Sequence, residues 1–170
     1  MINKIKHLTN KYFDEIVEIR RHIHMYPELS FKEFNTSKYI KSVLKKWQIQ
    51  YIDNIADNGI VVVLEGDKQN SRTLALRADF DALPIQEENK ISYCSKNKGV
   101  MHACGHDAHT ASLLGVIKIL SSTEIKWTGT IKCIFQPAEE MLPGGAKQMI
   151  KEGVLKKPNV DFILAHHVYP

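Results

Sequence analysis

An α/β fold built on a layered sheet is what this sequence predicts, and three observations predict it. The apolar period switches several times between helical and extended spacing. Short β-rich runs alternate with helical stretches along the chain. The 170 residues are 44% hydrophobic, enough to bury a sizeable core in one domain.

The elements follow in order. Ile5, Leu8, Tyr12, Ile16, Ile19 and Ile23 recur at helical spacing, which predicts an amphipathic helix over residues 3–24 that stops before Pro27. Phe34, Ile40, Val43, Leu44 and Trp47 mark a second helix. Extended runs are expected at residues 50–52, 60–64 and 73–76, separated by Gly59 and the polar segment 66–71. The first two runs can form a hairpin. Residues 85–103 are rich in Lys, Asn and Ser and predict a loop. Leu113, Leu114, Ile117 and Leu120 share one face of a helix over 108–120. A strand at 130–135, a helix at 145–152 and a strand at 161–165 complete the pattern.

Composition excludes several classes. The net charge of +4 comes from 23 basic and 19 acidic residues spread along the chain, with no basic patch interleaved with aromatics. No nucleic-acid partner is expected. No apolar run approaches membrane-spanning length, and Lys4 stands where a signal peptide would begin its apolar core. Cys94, Cys104 and Cys133 are an odd number without framework spacing, so a reducing cytoplasm is expected.

Chemistry-bearing residues gather at the ends of the extended runs. Asp79 and Asp81 follow one strand, Glu139 and Glu140 another, and His167 a third, while Cys104 and His106 precede a helix. In open α/β sheets ligand sites form at the carboxyl ends of strands, so these groups are expected to converge there. Each also has a plain reading. The Cys104-Gly105-His106 spacing suits a metal, since thiolate and imidazole are good zinc ligands, yet a lone cysteine near histidine is also a common structural feature. Glu139-Glu140 is either a solvated pair or one metal ligand beside one free proton-transfer group. His167 alone reads as a core histidine. Asp79 and Asp81 are expected to face opposite ways, with only one turned into the site. His7, His22, His102 and His109 are read as bystanders, surface or locally hydrogen-bonded, and His24 is left open.

Five segments together resemble a known family. They are Arg20-Arg21-His22-Ile23-His24-Met25-Tyr26-Pro27-Glu28-Leu29-Ser30-Phe31, Arg77-Ala78-Asp79-Phe80-Asp81-Ala82-Leu83-Pro84, the cluster from Met101 to His109, Phe135-Gln136-Pro137-Ala138-Glu139-Glu140, and His167-Val168-Tyr169-Pro170. In this order they are similar to the amidohydrolase branch of the M20 metallopeptidases, which includes hippurate hydrolases, N-acyl-amino-acid amidohydrolases, N-acetyldiaminopimelate deacetylases and plant auxin-conjugate hydrolases.

The resemblance carries expectations. It implies a layered sheet with helices on both faces, as in the Zn-peptidase-like catalytic domain, incomplete at its C-terminal end. Residues 1–170 would be the N-terminal part of that domain, with the inserted dimerisation domain and the rest of the catalytic domain absent. It implies two divalent metal ions, Zn, Mn, Co or Ni, bridged by Cys104, with His106, Glu140 and His167 as further ligands. His167 is preferred to His166 because the family's metal histidine directly precedes a Val-aromatic-Pro sequence. Glu139 would be the general base that takes a proton from the attacking water and delivers it to the leaving amine. Asp81 would orient a group of the site, and Asp79 has no assigned role. The implied substrate is a small N-acyl amino acid, hippurate-like or N-acetylated, handled by a cytoplasmic enzyme whose longer parent is a homo-oligomer. The alternative is a catalytically inactive metal-binding remnant of such an enzyme. A structural zinc module fits less well, because such sites are closed and cysteine-rich.

Overall fold

A computed structural model describes residues 1–67 and 72–169. The end of the polar segment (68–71) and Pro170 of the last motif lie outside the described residues.

Helix α1 (Ile2–Met25) buries Leu8, Ile19, Ile23 and His24 on the predicted stripe. It stops one residue before the Tyr26-Pro27 step, because a residue preceding proline is pushed out of the helical region. Helix α2 (Phe34–Lys46) buries Ile40, Val43 and Leu44. Its exposed first-turn amides are met by Glu28, which accepts from Thr36 N at 2.8 Å and from the Thr36 hydroxyl at 2.9 Å.

Five strands form one sheet: β1 (Ile52–Ile55), β2 (Gly59–Glu65), β3 (Thr73–Asp79), β4 (Thr130–Gln136) and β5 (Phe162–Ala165), in the spatial order β1-β2-β4-β3-β5. β1 and β2 form the expected antiparallel hairpin, although β1 lies at Ile52–Ile55 rather than at the expected 50–52. β3, β4 and β5 run parallel, and β2 runs antiparallel to β4. The carboxyl ends of β3, β4 and β5 therefore lie along one edge. β3 runs three residues beyond the predicted end because Asp79 pairs with Gln136 of β4. Helix α3 (His106–Leu120) starts two residues early, and helix α4 (Gly145–Lys151) follows β4.

Side-chain alternation splits the core in two. Ile60, Val62, Ala78, Cys133 and Phe135 face α1, α2 and α3. Val61, Ala75 and Ile134 face the other way, toward Met149 of α4 and Val154. The sheet thus carries helices on both faces, as expected. Residues 85–103 form the expected loop, closed at its base where Leu83 and Met101 exchange backbone hydrogen bonds, each at 3.0 Å. No helix among the described residues is long and apolar enough to cross a membrane.

Candidate metal centre

The carboxyl edge of the sheet brings together residues from four parts of the chain. His106 opens α3 and is 1% exposed. It is set by Gly105, whose φ of +85° few other residues adopt, and whose missing Cβ leaves room for Val168 against the backbone. Cys104, just before this turn, is half-buried, and its Sγ lies 3.4 Å from Nε2 of the exposed His167. Glu139 and Glu140 follow β4, with carboxylate oxygens 3.9 and 3.6 Å from His106 Nε2.

The turn that presents those glutamates is held in place. Ala138 adopts a φ of +50°. Its amide donates to the buried Glu33 carboxylate at 2.7 Å, and its carbonyl accepts from Gly145 N at 2.8 Å. Burial raises the Glu33 pKa above the usual carboxylate value.

Asp81 lies behind the site. Its carboxylate meets His106 Nδ1 at 3.1 Å and accepts from Glu140 N at 2.9 Å and the Ser30 hydroxyl at 2.7 Å. Burial alone would raise its pKa, but these donors pull it down to about 2. An ionised Asp81 accepts a hydrogen bond from Nδ1–H, so in the neutral ring Nε2 carries the free lone pair of His106. That Nε2 is buried and has no hydrogen-bond partner among the described residues. Burial and the nearby carboxylates Glu140 and Glu139 push the Cys104 thiol up to about 11.

Donor atoms of Cys104, His106 and His167, and likewise those of His106, Glu139 and Glu140, lie within 4.8 Å of one another. The two groups share His106. Thiol, imidazole and carboxylate together suit Zn or a first-row neighbour, and a buried imidazole lone pair without a partner is what a metal would satisfy.

Residues 75–170, more than half of the chain, match the profile of Peptidase family M20/M25/M40. The chain belongs to that family. It is 42% identical over 166 residues to the N-acyl-L-amino acid amidohydrolase of Geobacillus stearothermophilus, covering 98% of this chain and 44% of that protein. It is 43% identical over 156 residues to the N-acetyl-L-cysteine deacetylase of Bacillus subtilis, covering 92% of this chain and 36% of that protein. The crystal structure of the Bacillus subtilis YXEP protein, described as a dinuclear metal-binding peptidase from the M20 family, superposes with a TM-score of 0.87 at 39% identity. That match covers 95% of this chain and 44% of that one. The chain thus spans 36% to 44% of the length of these M20 relatives.

Several sequence expectations need correction in this M20 chain. Asp79 and Asp81 do not face opposite ways: residues two apart on an extended chain share a side, and both carboxylates approach His106, at 3.7 and 3.1 Å. His109 is no bystander. Its Nδ1 meets Asp79 at 2.6 Å, its Nε2 accepts from Val168 N at 3.0 Å, and it thereby holds the backbone beside His167. Arg77 completes the line with a 2.6 Å ion pair to Asp79. His102 is neither at the surface nor hydrogen-bonded. It is 4% exposed, neither ring nitrogen has a partner among the described residues, and burial lowers its pKa to about 4. His24, left open by the sequence, sits between two buried carboxylates. Glu33 is not marked as a site residue by the sequence. Its only sequence signal was a charge next to the apolar start of a helix.

Proposed function

We propose that the chain carries most of the active centre of a metal-dependent amidohydrolase that cleaves the amide bond of small N-acyl amino acids. The observation that carries this reading is the buried, unpartnered Nε2 of His106, with donor atoms of Cys104, His167, Glu139 and Glu140 around it. In this reading Cys104, His106, Glu140 and His167 would hold two divalent ions. The dinuclear description of the YXEP protein and the deacylating names of the relatives support the metal count and substrate class. Bound there, the ions would lower the pKa of a water and polarise the substrate carbonyl.

The chain's own residues do the rest. Asp81 orients His106 and fixes its tautomer. Glu139, whose side chain is 42% exposed at the rim, is the group free to move protons. It takes one from the attacking water and hands it to the leaving amine, so that the amide C–N bond breaks to give a carboxylate and a free amino acid. Residues 1–170 act as the N-terminal part of the catalytic domain, in an enzyme that works in the cytoplasm. The competing reading is a metal-binding remnant without turnover.

The test is an assay of the chain on hippurate and N-acetyl amino acids with added Mn²⁺, Co²⁺ or Zn²⁺. Metal-dependent release of free amino acid is expected. Glu139→Gln should lower turnover by about 10²- to 10⁴-fold while the metal stays bound. Metal binding without any release would establish the remnant instead.

A further inference from the structure

His24 has a carboxylate on each side. Its Nδ1 lies 2.8 Å from Asp107 Oδ2 and its Nε2 lies 3.1 Å from Glu87 Oε1. The imidazole is 4% exposed and both carboxylate side chains are fully enclosed. A neutral imidazole has a single N–H and would turn a bare lone pair toward one of these anions. With a proton on each nitrogen it donates to both. Arg20 Nε reaches the same Asp107 oxygen at 2.6 Å, while its Nη2 stands farther off, 3.4 Å from His24 Nδ1. The enclosed group then holds two cations against two anions, the balance that burial requires.

The partners come from three separate parts of the fold. Arg20 and His24 lie on α1, one turn apart. Glu87 belongs to the loop between β3 and α3, where Ser95 N donates to it at 2.6 Å and Asn89 Nδ2 at 3.0 Å. Asp107 is the second residue of α3, beside His106 and three positions after Cys104. The Tyr93 ring stands edge-on to His24 at 5.7 Å, under the guanidinium groups of Arg20 and Arg21.

We propose that His24 is a positioning residue: by donating from both ring nitrogens it ties α1 and the 85–103 loop to the first turn of α3, and so fixes the segment carrying Cys104 and His106. Its service to a metal rests on the metal-centre reading above; the clamp itself rests on the distances around His24. The charged and titratable groups around it are Arg20 on its own helix, Glu87, Tyr93, Cys94 and His102 in the loop, and Asp107 on α3. The bond to Asp107 holds the His24 pKa above its ordinary value, with burial and the Arg20 charge opposing and Glu87 adding. The stabilisation the clamp gives is therefore complete below the ordinary histidine value and is lost as pH rises through the elevated folded value.

Two measurements on the 170-residue chain test this. In ¹⁵N NMR of the metal-free protein at pH 7, both His24 ring nitrogens should carry protons; one bare nitrogen would overturn the clamp. In His24→Gln, the Ala108 and His109 amides, both bonded to Gly105 O, should exchange with solvent about tenfold faster while the rest of α3 is unchanged. The same variant, with unaltered circular dichroism, should lose about 10- to 100-fold in Mn²⁺ affinity by calorimetry. Unchanged exchange and affinity would sink the proposal. Should His24→Gln fail to fold, Glu87→Gln serves: one His24 ring proton should be lost at pH 7 and Mn²⁺ binding should weaken, whereas retention of both protons with full affinity refutes the clamp. An unaltered chain that shows the doubly protonated ring and the exchange effect but binds no Mn²⁺ would support the clamp and count against the metal-centre reading alone.

Discussion

Asp81 links the acid stability of this chain to the readiness of its candidate centre. Three donors from three different segments converge on one carboxylate and hold its pKa near 2, against an ordinary value of 3.8. For a depressed carboxylate the stabilisation is complete above the ordinary value and is lost as pH falls through the folded one. A shift of this size corresponds to about 2 kcal/mol. Acid unfolding of the chain should thus steepen between about pH 4 and pH 2, and Asp81→Asn should remove that component. Monitoring ellipticity against pH in the two proteins checks it; identical profiles would mean the donors around Asp81 contribute nothing. The same variant should bind metal about 10- to 100-fold more weakly, because His106 loses the partner that sets its tautomer. The sequence placed Asp81 near the site but could not show which of its neighbours it touches. Ser30 and His106 lie 51 and 25 residues away, and no local period reports such pairings.

At the scale of elements, the helices and strands were largely legible because each keeps one period over a full run. The ends that differ from expectation are set by contacts outside the element's own period. β3 and β4 extend past their apolar residues because each continues to pair with the other through Asp79 and Gln136. α3 begins at His106 because Gly105 takes a left-handed turn that fits beneath Val168. One strand residue has a role its type does not announce. Lys132 lies in the middle of β4, 2% exposed, and its ammonium donates to the carbonyls of Val154, Lys156 and Pro158 at 2.9, 2.9 and 3.0 Å. It pins the segment after α4 to the back of the sheet. Replacing it with methionine keeps the aliphatic stem but deprives three carbonyls of a donor. Lys132→Met should therefore cost about 3 kcal/mol. Urea unfolding measures this, and a loss below about 1 kcal/mol would mean that water replaces the ammonium without penalty.

Across the whole molecule, the sheet ends at β5, which pairs with β3 on one side only among the described residues. Phe162, Ile163 and Leu164 are each more than half exposed, and Leu164 lines an apolar cavity with Leu76, Leu113 and Val116. An apolar strand with a free edge is a template for pairing. The 170-residue chain is expected to self-associate with rising concentration, and Leu164→Lys should shift it toward monomer in sedimentation velocity. Monomer at all concentrations in both proteins would show that this edge is not adhesive. By itself the sequence determined the layered α/β class and the order of elements, because apolar period and turn residues act over short windows. It also set candidate donors side by side, since Cys104-Gly105-His106 and Glu139-Glu140 are contiguous. Tertiary structure alone decided the sheet order, the turn of both Asp79 and Asp81 toward His106, and the enclosure of His24 between Asp107 and Glu87. Those are contacts between segments as far as 83 residues apart, and burial rather than local spacing selects them.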